Sequence, residues 1–339
     1  MDWFESLTGF RESGYEQTRE QLELVEGELR SKVNRRSYCI GALELPSLQQ
    51  LRDQVGTGAV LPGRFRVRVV RGNVRDMHRH SEHKGALFQV ASQFNMLEMT
   101  SPSITPEHGV TRYQNDPTQG PACAIAAGAA TIYRNYFAMV DGIAGQTAER
   151  QLDGLADLGA TLAQALGTPV GALWTMRNGY AMCSRAGLDA IAACLASLGP
   201  DGKDRLRGTL RIGVHSEVEV TDRPGDGLQR VSQAFCSALP VAYGSINPVH
   251  WEAFGTLLLE AAYEATMLAA VINARRTGSS IVLLTRLGGG AFGNDDSWID
   301  NAMRRAFELA KGHGLDVRLV SYGAPSAALL ALAADFAGT

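Results

Sequence analysis

IVLLTRLGGGAFGNDDSWIDNAMRRAFELAKGHGLDVRLVSYG, residues 281–323, decides how this chain is read. Ile281 to Thr285 is a short apolar, partly β-branched run, which predicts a buried strand. It empties into Gly288, Gly289 and Gly290, and a helix follows at once. Ser297 with Asp300 three residues on has the form of a capping box, and Ile299, Met303, Ala306 and Ala310 recur at helical spacing. Val317 to Tyr322 predicts a second buried strand. Glycines between a strand and a helix N-terminus let backbone N–H groups approach a ligand, with the positive end of the helix dipole behind them, and this suits phosphate. A tight turn also needs glycine, but three in a row and a fourth at Gly293 exceed what a turn requires.

Gly288, Gly290 and Gly293 also satisfy G-x-G-x-x-G, the dinucleotide fingerprint. That motif normally opens a long series of strands and helices and is followed by an acidic residue at the end of the next strand. Here the next strand ends in Ser321, Tyr322 and Gly323, and scarcely more than one helix remains. A nicotinamide-dependent oxidoreductase is therefore the least favoured of the readings. No G-x-x-x-x-G-K-[ST] occurs, which disfavours a P-loop nucleotidase.

Upstream, strands and helices alternate. FRVRVV (65–70), GALFQVASQFN (85–95), LRIGVHSEVEV (210–220) and VSQAFCSALPVAYG (231–244) predict strands, as does SYCIGAL (37–43). PSLQQLRDQV (46–55), ACAIAAGAATIYRNYF (122–137) and Trp251 to Ala274 predict helices, and residues 15–33 read as Glu-rich helix with Leu22, Val25 and Leu29 on one side. Residues 141–207 predict two or three helices around a hairpin whose turn is Asn178-Gly179. This alternation implies an α/β sheet covered by helices on both faces. Between Met96 and Pro121 lies a long segment rich in Pro, Thr and polar residues, and loops of that length in a compact domain usually belong to binding sites.

With 45% hydrophobic and 20% charged residues the composition is that of an ordinary globular protein, and 339 residues can bury a sizeable core. A formal net charge of −3 leaves no electrostatic footprint for nucleic acid or an anionic membrane. Arg64, Arg66, Arg68, Arg71 and Arg75 are expected to form a solvated strand face. The apolar stretch from Trp251 is interrupted by Glu252, Glu260 and Glu264, so it predicts a core helix and not a membrane span. Five cysteines without a C-x-x-C pair predict buried free thiols. The acidic start MDWFESLTGFRESGYEQ lacks the features of a signal peptide, so the expected location is cytoplasmic, or outside by a route without a classical signal. His78, His80 and His83 have metal-like spacing but sit in a polar, basic stretch that reads as a solvated loop. His215, Glu217 and Glu219 alternate along a strand, with no second cluster to complete a ligand set. No metal and no cofactor is expected.

The order of these motifs resembles the macrodomain, the ADP-ribose-binding α/β/α fold, and within it the macrodomain-type ADP-ribosyl glycohydrolases. RVVRGNV (68–74) is similar to the family's opening strand and turn, with Asn73 where an aspartate usually holds the adenine amino group. LFQVASQFN resembles the strand ending in the family's Asn-rich loop, placing Asn95 at the distal ribose. TQGPACAIAAGA resembles the glycine loop and helix that follow, with Thr118, Gln119 and Gly120 at the ligand. GGGAFGN (Gly288, Gly289, Gly290, Ala291, Phe292, Gly293, Asn294) is similar to the second phosphate loop, and Tyr322 falls where an aromatic residue stacks on adenine. The resemblance spans roughly residues 60–325. It implies a three-layer α/β/α macrodomain-like mixed sheet over 61–339 with a helical insertion at about 141–207; residues 1–60 have no counterpart in the family and are expected to form an N-terminal helical and strand extension packed on that core. It also implies binding of ADP-ribose or an ADP-ribosylated protein.

Cleavage of an ADP-ribosyl linkage passes through an oxocarbenium-like state, which calls for a carboxylate to orient or activate water or to protonate the leaving group. The long loop offers Asp116, Glu98 and Glu107. The expected activity is therefore that of an ADP-ribosyl hydrolase, with a non-catalytic ADP-ribose reader as the alternative.

Overall fold

The computed structural model describes residues 1–223 and 228–338. Seven strands form the central sheet: β1 (Ala42–Glu44), β2 (Arg66–Arg71), β3 (Leu87–Ala91), β4 (Gly213–Glu219), β5 (Arg230–Cys236), β6 (Ile281–Leu284) and β7 (Asp316–Ser321). Their spatial order is β1-β4-β5-β3-β6-β7-β2. β4 pairs antiparallel with both β1 and β5, and every other pairing is parallel, so β4 alone runs against its neighbours. The inner strands are predominantly apolar because parallel strands are covered on both faces, with Gln89 in β3 and Ser232 and Gln233 in β5 as buried polar exceptions. In β3, Leu87 joins the core on one side while Phe88 and Val90 join the core on the other.

Helices cover both faces, giving the expected three-layer α/β/α mixed sheet. On one face lie α1 (Leu48–Gly56), α5 (Glu252–Thr277) and α6 (Asp296–Ala310); on the other lie α2 (Val74–Arg79), α3 (Gln119–Ala126) and α4 (Gly128–Tyr136). α5 is apolar and long enough to cross a membrane, yet most of it is buried in the core, as the sequence predicts for a core helix. Its buried Glu264 holds Arg52 at 2.6 Å and Arg305 at 2.6 Å, and Asp204 bonds the same two arginines. This network fastens residues 141–207 to the core. That segment has helices Ala156–Leu166, Val170–Leu173, Arg185–Ser197 and Pro200–Gly208 around the hairpin Trp174–Arg177 and Tyr180–Cys183. Asn178 and Gly179 both have positive φ, as that turn requires.

Local departures have local causes. Residues 15–33 are a short helix, Tyr15–Glu20, and then a hairpin of Leu22–Val25 with Glu28–Ser31, turned by Glu26 and Gly27 at φ 48° and 82°. Helical spacing of three apolar residues is compatible with alternating burial over so short a span, and Glu26-Gly27 was the overlooked turn signal. The strand expected over Ser37 to Leu43 splits into two, Ser37–Cys39 and Ala42–Glu44, at Gly41, φ 70°. The small-residue helix breaks at Ala127 into α3 and α4. The capping box at Ser297 does not form: Asp295 is the N-cap, accepting from the Ser297 N–H at 2.8 Å, and Asp300 pairs with Arg286. Arg66 and Arg68 are not simply solvated either, since both reach Asp316 across the strand pair.

Candidate functional site

β3 and β6 are neighbours, but the chain leaving β3 reaches α3 on one face while the chain leaving β6 reaches α6 on the other. Such a divergence opens a crevice at the carboxyl ends of the strands, where ligands of open α/β sheets bind. A cavity of about 290 Å³ lies there. Asn73 enters it from the end of β2, Thr285 from β6 and Tyr322 from β7, and Asp116, Thr118 and Gln119 enter from the start of α3. Five of the residues predicted from sequence thus meet although they span 250 positions.

The start of α3 is fixed by close packing. Gln119 accepts from the Ala91 N–H at 2.8 Å and donates to the Gln89 carbonyl at 2.8 Å, so its amide continues the hydrogen bonding of β3. Gly120 sits so near β3 that a Cβ would lie 2.0 Å from the Ala91 carbonyl oxygen. No side chain caps α3, which leaves its leading N–H groups without an intrahelical partner at the cavity. Asp116 is held by Thr118: its Oδ1 accepts from the Thr118 N–H at 2.9 Å and from the hydroxyl at 2.6 Å. Oδ2 has no hydrogen bond among the described residues. Asn73 caps α2 by accepting from the Arg75 N–H at 2.9 Å, and its amide nitrogen has no bond among the described residues. Tyr322 is 81% exposed, a ring presented to solvent at the cavity's rim.

Asn95, Glu98 and Glu107 are not brought to this cavity. Asn95 is fully buried, donating to Gln151 at 2.8 Å and accepting from the Leu97 N–H at 3.1 Å, with the Gly179 turn lying over it. Glu98 is wholly enclosed with Arg134, 3.3 Å away. Arg134 also donates to the Met96 carbonyl at 3.0 Å and stacks 4.0 Å from the Phe235 ring. Burial pushes the Glu98 carboxyl up to about 7 against the downward pull of Arg134. Burial, and then the charge of Arg134, hold the neighbouring His215 well below the usual imidazole range. Glu107 turns aside to accept from the Ala148 N–H at 2.8 Å. Of the three loop acids, Asp116 is the one that lines the cavity.

The glycine loop begins three residues after Thr285. Gly288 (φ 74°) packs so closely that a Cβ would meet Ala238 at 2.5 Å, and its carbonyl accepts from the Asn294 N–H at 2.9 Å. Asn294 is buried and donates to the Leu239 carbonyl at 2.8 Å, which closes the loop. Gly289, Gly290, Ala291 and Gly293 are exposed, and Phe292 packs between Tyr180 and Tyr243 with ring centroids 5.4 and 5.5 Å apart. The expectation that the following helix dipole supports an anion needs correction. Asp295 caps α6 and Asp296 occupies its first turn, so that terminus is already provided with negative charge. Arg286 is likewise spent on Asp296 and Asp300.

The stretch around His78 is not a solvated loop: His78 and His83 are buried. His80, Glu82 and His83 have ligand atoms within 4.8 Å of one another. His83 Nδ1 bonds the Met77 carbonyl at 2.7 Å, and the Arg318 guanidinium lies 2.6 Å from Nε2 and 3.1 Å from Glu82. An arginine already holds the place a cation would take.

Reasoning from sequence missed Tyr113, Thr285 and Val320, which wall the cavity. Tyr113 precedes Asp116 by three residues in a 3-10 turn, and an aromatic inside a polar loop was its available signal. Thr285 and Val320 carry no signal beyond their position at strand ends.

No protein-family model matches the chain, and no curated protein matches it in sequence. Among solved structures, it is similar to poly(ADP-ribose) glycohydrolase from Thermomonospora curvata at 14% identity, covering 87% of this chain and 85% of that one with a TM-score of 0.41. It is also similar to poly(ADP-ribose) glycohydrolase from Deinococcus radiodurans in complex with ADP-ribose, at 11% identity over 87% and 93% of the two chains with a TM-score of 0.44.

Proposed function

We propose that the protein is an ADP-ribosyl hydrolase whose site is the cavity at the carboxyl ends of β2, β6 and β7. The observation that carries this reading is that Asn73, Asp116, Thr118, Gln119 and Tyr322 line one cavity. Asn73, Thr118, Gln119 and Tyr322 were assigned to an ADP-ribose site by resemblance and Asp116 as one of three loop acids, and nothing in the sequence requires Asn73, the 116–119 segment and Tyr322 to meet. In this reading Tyr322 stacks on adenine and Asn73 bonds its amino group. The leading N–H groups of α3 face the diphosphate; the glycine loop Gly288–Asn294 follows Thr285 but does not itself line the cavity, and it is read as a second phosphate contact. Asp116, oriented by Thr118, takes a proton from water as the water oxygen attacks the anomeric carbon, and the bond to the acceptor breaks with its electrons leaving on the acceptor atom. The acceptor is the side chain of a modified protein or a small molecule, and no metal or redox cofactor takes part.

One observation favours the second reading, a non-catalytic ADP-ribose reader. Glycosidases generally use two carboxyl groups, and among the described residues Asp116 is the one carboxylate lining this cavity. Calorimetry with ADP-ribose, with NAD and AMP as controls, tests the site, and release of ADP-ribose from acceptors of different linkage tests turnover. Selective binding with turnover that Asp116→Asn lowers by about 100-fold or more supports the hydrolase. Binding without turnover makes the protein a reader, and no binding removes both.

A further inference from the structure

We infer that Glu12 is a positioning residue for the loop that carries Asp116, which makes the N-terminal segment a working part of the site. The role of Asp116 in this inference rests on the hydrolase reading above; the clamp itself is independent of it.

Glu12 reaches across about 100 residues of sequence to the loop. Its Oε1 accepts from the Val110 N–H at 2.8 Å and from the Tyr136 hydroxyl at 2.8 Å, and its Oε2 accepts from the Thr111 N–H at 2.7 Å. Two successive backbone N–H groups and a phenol thus converge on one carboxylate, the arrangement of a backbone anion nest. The neighbouring backbone is shaped around it. Gly109 has φ 76°, and a Cβ there would lie 2.4 Å from the Glu12 carboxyl carbon. A second tie comes from Trp3, whose indole N–H donates to the Thr111 carbonyl at 3.2 Å.

What is clamped matters for the site. Thr111–Asn115 is the 3-10 turn that ends at Asp116, and the Asp116 N–H donates to the Tyr113 carbonyl at 3.1 Å. Val110 and Tyr113 are buried against Phe4, Leu7 and Tyr15 of the N-terminal segment, and Tyr113 walls the cavity on its other side. One end of the turn is therefore fixed by Glu12 and the other by the Asp116–Thr118 bonds. With Glu12 gone, the nest is left without its anion and the turn loses its anchor five residues before the carboxylate.

Glu12→Ala, with Tyr136→Phe as a milder second variant, tests this in the full chain. The expected result has three parts. Amide exchange across residues 109–118 accelerates while that of β3 and β6 is unchanged. Turnover at saturating substrate falls about tenfold or more while the Kd for ADP-ribose moves less than about threefold, since misplacement of a reacting group costs kcat before binding. Added formate, which fits the vacated nest, restores part of both. Tyr136→Phe shifts exchange in the same direction by less, so the inference stays testable should Glu12→Ala fail to fold. Unchanged exchange at 109–118 in both variants overturns the clamp. Equal loss of binding, turnover and thermal stability without formate rescue also overturns it, in favour of a purely structural role. If the wild type neither binds nor cleaves, the hydrolase reading falls, and the exchange measurements still decide the clamp.

Discussion

Glu98 and Arg134 form an ion pair with no exposed side-chain surface, which is unusual enough to set a pH dependence of its own. The Glu98 carboxyl is raised to about 7 by burial, from an ordinary value of 4.5. The folded protein therefore holds this proton more tightly than the unfolded chain. Its contribution is fully present below pH 4.5, declines as pH rises and is gone above about 7. Glu98→Gln removes that dependence: the difference in stability between wild type and variant is expected to change between pH 4.5 and 7 and to be flat above it, by a few kcal/mol at most. Urea titrations at several pH values measure this, and a difference independent of pH refutes it. His78 works in the opposite sense. Burial depresses it to about 4, so its contribution is present above 6.5 and lost as pH falls through 4. The comparison with the variant is needed because the two slopes overlap.

At the level of elements, the two glycine-bearing segments make different predictions. Gly120→Ala places a Cβ against a backbone carbonyl of β3, which cannot move aside cheaply, so a loss of about 1–3 kcal/mol in stability is expected by denaturant unfolding. Gly290 meets nothing within 4 Å and has no positive φ. Gly290→Ala should leave the melting temperature unchanged, and only if the loop cradles the diphosphate should it weaken ADP-ribose binding in calorimetry. The same segments show what the sequence reveals. Apolar runs identified the inner strands and α5 because burial on both faces favours hydrophobic residues, although Gln89, Ser232, Gln233 and Glu264 are buried among them. Short elements were less visible: Tyr15–Glu20 and the following hairpin hold too few residues for a period of 3.6 to be told from one of 2. Of the five cavity residues, Asn73, Thr118, Gln119 and Tyr322 were legible through a family resemblance, and Asp116 as an acid in a long polar loop. Asn95 and Glu98 lie away from the cavity, because spacing along a strand end does not report whether the following turn folds outwards or, as here, beneath the Asn178-Gly179 hairpin.

For the molecule as a whole, a ligand seated at the divergence of β3 and β6 contacts segments from both halves of the chain, so binding should stabilise the entire fold. At 100 times its Kd, ADP-ribose is expected to add about 2.7 kcal/mol, seen as a rise in melting temperature that Asp116→Asn retains. AMP at the same concentration should give a smaller rise; equal shifts would place recognition in the adenosine half alone. The sheet order carries a consequence for how the polypeptide is made. β1 has one neighbour in the sheet, β4, with Ala42 opposite Ser216. On the ribosome, Ala42–Glu44 waits for more than 160 further residues before its partner emerges. The Asn95 turn likewise waits for the Asn178-Gly179 hairpin that covers it. The first half of the nascent chain therefore cannot complete its folding alone, and β3, buried in the finished sheet with both its neighbours β5 and β6 still to emerge, is the segment a holding chaperone has most reason to cover.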